Sequence, residues 1–447
     1  MTLFGSELRA VRECDPVRVA GRVRRVSGLI VEAEGLALAV GSCCTIRCRM
    51  DGNRALEAEV TGFQDGRTLL VPCGTTEGIS PGDVVCHDGA QPGVDVSPQL
   101  LGRILDGRGI PMDGKGPVRP DARVSLSGRP VAPLARRRID RPFRTGVRAI
   151  DSVLTCGRGQ RMGIFAGSGV GKSVLMGMLA RRSEAPVTVI ALVGERGREV
   201  REFVERDLGP EGLARSIVVV ATSNDPPVVR LRAANVATAI AEYFRDLGQD
   251  VLLLFDSVTR VALAQRELGL SSYEPPTTRA YPPSVFALLA RLLERTGPAE
   301  SGSITSFYSV LVEADDLNDP IGDAVRGILD GHIWLSRKLS RRGHFPAIDI
   351  LDSVSRVMSD VVTPEHLELR QRLVEDMARY RDAEDLLQLG AYVRGADARS
   401  DAAVDRMPAI EKLLRQPPQD DSDFAAAVSG LEAIYAPVTA SKAEKRR

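Results

Sequence analysis

The spacing of apolar positions changes along the chain, and each change marks a different architecture. From residue 1 to about 92 the apolar runs are short and rich in strand formers: VRVAGRVRRV, GLIVEAEG, LALAV, LEAEVTGF and RTLLVPC. The turn pairs Asp51-Gly52 and Asp65-Gly66 separate them as in β-hairpins. Such a pattern predicts a small closed barrel, which removes exposed strand edges. Residues 93–150 are dense in Gly, Pro and Arg and predict a connector wrapping onto the next domain.

From 151 to about 362 compact apolar runs alternate with helical stretches. MGIFA, VTVIALV, SIVVVAT, VLLLF and ITSFYSVLV suit strands buried on both faces. SVLMGMLARR, REVREFVERDL and VVRLRAANVATAIAEYFRDL read as helices, the last with Ser223, Asn224 or Asp225 as its N-cap and Pro226-Pro227 in its first turn. This alternation implies a mostly parallel sheet covered by helices. Thr363-Pro364 opens a region that is helical to the end. There Leu369, Leu373, Met377 and Tyr380 recur at helical spacing and Gly390 closes the stretch. The predicted organisation is a barrel domain over 1–92, an α/β domain over 93–365 whose first part is the connector, and a helical domain over 366–447.

Charge narrows the function. The 59 basic and 59 acidic side chains cancel, so no overall field draws the protein onto a polyanion. No segment reaches the roughly 20 continuous apolar residues of a membrane span. The start MTLFGSELRAVREC lacks a signal peptide's apolar middle, which points to the cytoplasm. Seven cysteines, with no CxxC pair, read as reduced structural thiols and not as a metal site. The basic run Arg136, Arg137, Arg138, Arg141 and Arg144 reads as a solvated connector.

One loop carries the chemistry. Ala166-Gly167-Ser168-Gly169-Val170-Gly171-Lys172-Ser173 sits between a strand and a helix, as a Walker A loop does, with alanine in its first position. Its glycines let backbone N–H groups cradle phosphates at a helix N-terminus, where the dipole is positive. Lys172 is placed to reach the β- and γ-phosphates of ATP, and Ser173 to ligate Mg²⁺. The strand Val251–Phe255 ends in Asp256, the Walker B arrangement for holding that metal. Glu195, in Val193-Gly194-Glu195-Arg196, follows the next strand and is either a general base facing the γ-phosphate or a helix-cap carboxylate. Arg196 beside it is a candidate phosphate contact. Arg260, Arg337 and Arg356 are each candidates for an arginine that one subunit lends to its neighbour.

These motifs resemble a known family, the ATPases of type III protein export, themselves similar to the catalytic β subunit of F-type ATP synthase. The likeness spans essentially the whole chain. It rests on GRGQRMGIFAGSGVGKSVLMGMLAR, LVGERGREVREFVE, DSVTRVALAQRELGL, EPPTTRAYPPSVFALLARLLERTG, GSITSFYSVLVEADDLNDPI, LDGHIWLSRKL and GHFPAIDILDSVSRVM. AGSGVGKSVLMGMLAR looks like the flagellar version of the loop. The resemblance implies a RecA-like P-loop core, between an N-terminal β-barrel and a C-terminal helical domain, acting as a homohexameric Mg²⁺-ATPase. It implies that Glu195 is the catalytic glutamate, that Arg196 contacts phosphate, and that Arg356 and not Arg337 is the arginine finger. It also implies that Phe345 stands where ATP synthase β stacks a tyrosine on adenine. The partners implied are regulator and stalk subunits, export substrates, chaperones and the membrane export gate. The short segment Leu3, Phe4, Leu8 and Val11 is the expected regulator contact.

The chain departs from the family at Ala280, where glycine is usual, and in lacking the acidic stretch by which ATP synthase β contacts its shaft. The alternative within the family is a virulence secretion ATPase. A Rho-like RNA translocase is disfavoured because residues 1–92 hold only Phe4 and Phe63 as stacking aromatics. A non-hydrolysing ring paralogue is disfavoured by the presence of Lys172, Glu195 and Asp256, and a rotary synthase subunit by PPSVF and the missing acidic contact.

Overall fold

A computed structural model describes residues 19–87, 92–128, 131–312, 316 and 319–436. The expected amphipathic segment from Leu3 to Val11 and the tail SKAEKRR lie outside the described residues. Six strands, β1 (Val19–Ser27), β2 (Ile30–Glu34), β3 (Cys43–Cys48), β4 (Arg54–Gln64), β5 (Arg67–Pro72) and β6 (Val84–His87), close in the order β1-β2-β5-β4-β3-β6. Alternation fills the barrel: Leu56, Ala58 and Val60 of β4 point inward with Val23, Val31, Ile46, Leu70 and Val85, whereas Glu57 and Glu59 point out. Asp65 (φ 49) and Gly66 (φ 73) are both left-handed, as a two-residue hairpin requires. At the other predicted turn the left-handed pair is Gly52-Asn53, one residue later.

LALAV is no strand. Leu36 is buried and Val40 exposed, and the strand forms instead over Cys43–Cys48, where Cys44, Ile46 and Cys48 alternate inward. The thiols of Cys44 and Cys73 are pushed up to about 12 by burial, which makes them poor nucleophiles.

The connector is more structured than its composition predicts. β7 (Gly93–Val96) pairs with β9 (Ala122–Ser125), and β8 (Ile104–Asp106) joins the edge of the central sheet. Arg103 grips Asp113 through two bonds of 2.7 and 2.8 Å. The arginine run is only partly solvated. Arg136 donates to the carbonyls of Thr296 and Glu294, and Arg137 to those of Ala299 and Gly302, so the run staples the connector to the core.

The central sheet comprises β10 (Arg161–Ala166), β11 (Val187–Glu195), β12 (Ser216–Thr222), β13 (Asp250–Asp256), β14 (Gly297–Pro298), β15 (Ser303–Leu311), β16 (Gly331–Leu335) and β17 (Ile348–Ser355), with β8. Its order is β17-β16-β10-β15-β13-β11-β12-β8, with the short β14 pairing outside this path with β15. The pairings from β16 through β8 are parallel; β17 and β14 are antiparallel additions. Both faces are buried. Val189, Ala191, Leu253 and Phe255 face the helix Pro227–Asp246, while Ile190, Leu192, Leu252 and Leu254 face the helix Lys172–Arg182 and the C-terminal helices. That is why these strands read as unbroken apolar runs.

The helix Pro227–Asp246 has no side-chain cap; Asp225 instead accepts from Thr222 N and Oγ1 and closes β12. The expected cap at Thr363 does form, accepting from His366 N at 3.3 Å, and Gly390 (φ 67) follows the helix Pro364–Gln388. Leu373, Ile410, Leu413 and Leu431 pack this helix and two more, Ala398–Leu414 and Phe424–Tyr435, onto the core. Arg279 (φ 47) and Ala280 (φ 60) are both left-handed, so Ala280 carries a Cβ in a conformation glycine adopts freely.

Candidate active site

The carboxyl ends of four adjacent parallel strands meet at one place, where ligands bind in open α/β sheets. β10 delivers the loop, β15 contributes Ser309, β13 ends in Asp256 and β11 ends in Glu195. The loop turns through left-handed Gly169 (φ 77) and Gly171 (φ 93) into the helix Lys172–Arg182. Ala166 and Val170 are buried and anchor the loop to the core; Ser168, Gly169 and Ser173 are exposed.

Lys172 Nζ is ion-paired with Asp256 Oδ1 and lies 3.8 Å from Glu195 Oε1. Ser309 Oγ donates to the same Asp256 oxygen at 2.6 Å. At Gly194 (φ 75) β11 slips register against β12, a bulge that turns Glu195 toward the lysine. A Cβ at Gly194 would lie 2.8 Å from Arg260 Cβ, so Arg260 crosses directly behind Glu195. Burial raises the Glu195 pKa to about 7, helped by the Asp256 charge and opposed by Lys172. Its Oε1 is buried and has no hydrogen-bond partner among the described residues.

Phe345 reaches the loop from far along the chain: a Cβ at Gly171 would sit 3.5 Å from its Cδ1 and Cε1. Phe345 is exposed, at 43% of its full area, which leaves it accessible beside the loop. Arg196 is not drawn in. Its side chain points to solvent and reaches Glu199 at 3.9 Å. Arg356 is elsewhere: its guanidinium donates to the carbonyls of Leu329 and Arg326 and its N–H to Asp330, which pairs with Arg161 at the opposite end of β10. The length of the six-residue strand β10, roughly 17 Å over its steps of about 3.3 Å, separates it from the loop of its own chain.

One group escapes the sequence reading of the site and another stands there in a different role. Ser309 lies inside an apolar strand and carries no local signal. The sequence offers Arg260 only as a candidate finger for a neighbouring subunit; its place in the first turn of the helix that follows Asp256 is the clue to its position beside Glu195.

Residues 146–355 match the ATP synthase alpha/beta family, nucleotide-binding domain; 23–87 match the beta-barrel domain of that family, and 362–433 the T3SS EscN ATPase C-terminal domain. The chain is 49% identical to the flagellum-specific ATP synthase of Bacillus subtilis (strain 168), over 96% of this chain and 98% of that protein. The chain belongs to the type III export ATPases of the ATP synthase alpha/beta family. It is also 52% identical to the type 3 secretion system ATPase of Xanthomonas euvesicatoria, over 89% of this chain and 90% of that protein. The assembled ATPase EscN of the enteropathogenic E. coli type III secretion system superposes with a TM-score of 0.88 at 44% identity, covering 93% of this chain and all of that one. The barrel, α/β core and helical C-terminus of this type III export ATPase are therefore those the resemblance implies.

Proposed function

We propose that the protein hydrolyses ATP at sites shared between neighbouring subunits of a ring, and that this energises flagellar type III protein export. The observation that carries the shared site is the separation of Arg356 from the loop of its own chain. A finger that cannot reach its own nucleotide is free to serve the adjoining one. EscN, solved as an assembled ATPase and with its central stalk EscO, supports a hexamer and a stalk partner here.

Backbone amides from Gly167 to Lys172 cradle the phosphates. Lys172 exchanges Asp256 for the β- and γ-phosphate oxygens. Glu195, with an open carboxylate oxygen, takes the proton of the attacking water, and Arg356 of the adjoining protomer stabilises charge as the terminal phosphate leaves. Arg196 and Arg260 are further phosphate contacts, Arg260 the better placed. Phe345 stacks on the adenine.

The donor set fits Mg²⁺: Ser173 Oγ is exposed beside the loop, and Asp256 is a hard oxygen ligand held in orientation by Ser309. When bound by Ser173 and Asp256, the ion neutralises charge on the phosphate oxygens. No described helix is long and apolar enough to cross a membrane. Peripheral contact with the membrane export gate, and contact with regulator, substrates and chaperones, belong to this proposal.

Magnesium-dependent ATPase turnover per subunit should rise with protein concentration as rings form; turnover that stays flat across the assembly range would sink the shared-site mechanism. Disrupting the gene should abolish flagellar filament growth. Intact filaments with loss of virulence secretion would transfer the protein to the other branch, which the Xanthomonas relative keeps open.

A further inference from the structure

Between the second and third C-terminal helices the chain runs as a strap, Arg415–Asp420, that joins the end of the phosphate-loop helix to Phe345. Gln416 is at its centre and 1% exposed. Its Oε1 accepts from Arg148 N at 2.8 Å, and its Nε2 donates to the carbonyls of Gly146 at 2.9 Å and Asp420 at 3.1 Å. Its main-chain N–H donates to the carbonyl of Phe345 at 2.9 Å. Further ties come from the end of the helix that starts at Lys172: Arg181 donates to Pro418 O at 3.2 Å and Arg182 to Gln419 O at 2.8 Å. Gly146 packs against that same end, since a Cβ there would meet Arg182 Cβ at 2.3 Å.

The strap therefore has one fixed edge and one working edge. The fixed edge is the phosphate-loop helix and the segment Gly146–Arg148, which takes two of the three Gln416 amide bonds, the third closing within the strap on Asp420 O. The working edge is the Phe345 carbonyl. We infer that Gln416 is a positioning residue for the nucleotide base: it carries the geometry of the phosphate-loop helix across to Phe345 and so sets the distance between ring and phosphates. A buried amide with its acceptor and both donors engaged has one orientation, which is what a spacer of fixed length needs. Leucine at 416 preserves the volume and breaks all three side-chain bonds, leaving the N–H to Phe345 with a looser footing.

The inference rests on the reading of Phe345 as the base-stacking residue, and the test separates the two. Binding of Mg-ATP and of inorganic tripolyphosphate, which has no base, is measured on the full-length wild type, Gln416→Leu, Phe345→Ala and the double variant. Gln416→Leu should weaken ATP about fivefold, the size of one lost aromatic stack, while leaving tripolyphosphate affinity and kcat at saturation unchanged. In the Phe345→Ala background the same substitution should add nothing. Equal weakening of both probes, or an undiminished effect without Phe345, overturns the positioning role. If Phe345→Ala itself fails to separate ATP from tripolyphosphate, the stacking reading falls instead, and the inference with it. Should Gln416→Leu not fold, Arg182→Ala, which cuts an outer tether of the strap, should shift the ATP-to-tripolyphosphate ratio about twofold in the same direction; an unchanged ratio there counts against the proposal.

Discussion

Lys172 stands between Asp256, its direct ion-pair partner, and Glu195, whose Oε1 is 3.8 Å from the same ammonium. One cation thus serves two carboxylates. The second of them, buried and facing the first, titrates near 7 and not near 4.5. Burial, reinforced by the Asp256 charge, gives Glu195 the proton affinity that the proposed general-base role needs near the working pH.

Glu195→Gln should lower kcat by about a hundredfold or more while preserving nucleotide binding, since the amide keeps the shape and loses the base. In the wild type kcat/KM should rise with pH through about 7, and that limb should vanish in the variant. Stability carries the same signature. The folded pKa lies above the unfolded one, so the Glu195 contribution is complete below pH 4.5 and is lost as pH rises through about 7. Thermal melts across that window should show a slope that Glu195→Gln flattens. A variant with wild-type turnover would remove Glu195 from the mechanism.

Lys172→Ala removes the cation common to both carboxylates. Hydrolysis should be abolished, and the apo protein should lose stability at pH 8 relative to pH 6, because Glu195 and Asp256 then face each other uncompensated. The Glu195 pKa moves further up, because Lys172, the first of the two cations that hold it down, is gone and Arg260 alone remains. Differential scanning of the two proteins at the two pH values tests this; equal Tm losses at both would mean that the pair is screened by solvent.

How legible this was from sequence depends on whether the signal is local. The loop at 166–173, Asp256 and Glu195 each sit at a strand–loop–helix junction, a context encoded by neighbouring residues, and the structure brings them together. Phe345 has no local signature and was reached only through family resemblance. Ser309 and Gln416 carry no local signal, since Ser309 is one of several hydroxyls in β15 and Gln416 is one polar residue in the polar stretch Arg415–Asp421; the role of each is created by partners 53 and 268 residues away. The same distinction explains the errors of fold. LALAV has strand composition but no partner strand, whereas CCTIRC pairs with both β4 and β6 and alternates correctly. Asp225 was a reasonable cap by type, yet its carboxylate is spent on Thr222. Arg136 and Arg137 looked solvated because their acceptors are carbonyls about 160 residues downstream.

The joint between connector and core offers a stability prediction. Arg295 is buried and bidentate to Glu242 at 2.9 and 2.7 Å, and it also donates to Leu126 O and to Asn235 Oδ1. Glu242→Ala would strand a guanidinium with two neutral acceptors. It should cost about 3–5 kcal/mol, whereas Glu242→Gln, which keeps an acceptor, should cost less. Denaturant titration of the two variants decides it; a loss below about 1 kcal/mol for the alanine variant would show that water reaches the site and pairs the charge.

The proposed shared site makes a prediction that neither subunit can satisfy alone. Arg356→Ala should bind nucleotide normally and hydrolyse it about a thousandfold more slowly, the scale of a missing arginine finger. Lys172→Ala should be inactive for the complementary reason. Each variant retains what the other lacks: the arginine variant has an intact loop, the lysine variant an intact finger. Wherever an Arg356→Ala subunit presents its loop to the finger of a Lys172→Ala neighbour, one complete site is restored. Mixing the two inactive proteins under assembly conditions should therefore recover a measurable fraction of wild-type turnover, greatest near equal proportions and absent at concentrations too low for rings. Among the described residues the Arg356 guanidinium bonds to main-chain carbonyls and to no carboxylate, so its release toward a neighbour strands no charge there. Mixtures no more active than their components, with ring formation verified by light scattering, would mean that another arginine completes the site, and Arg260, already behind Glu195, would be the next to replace.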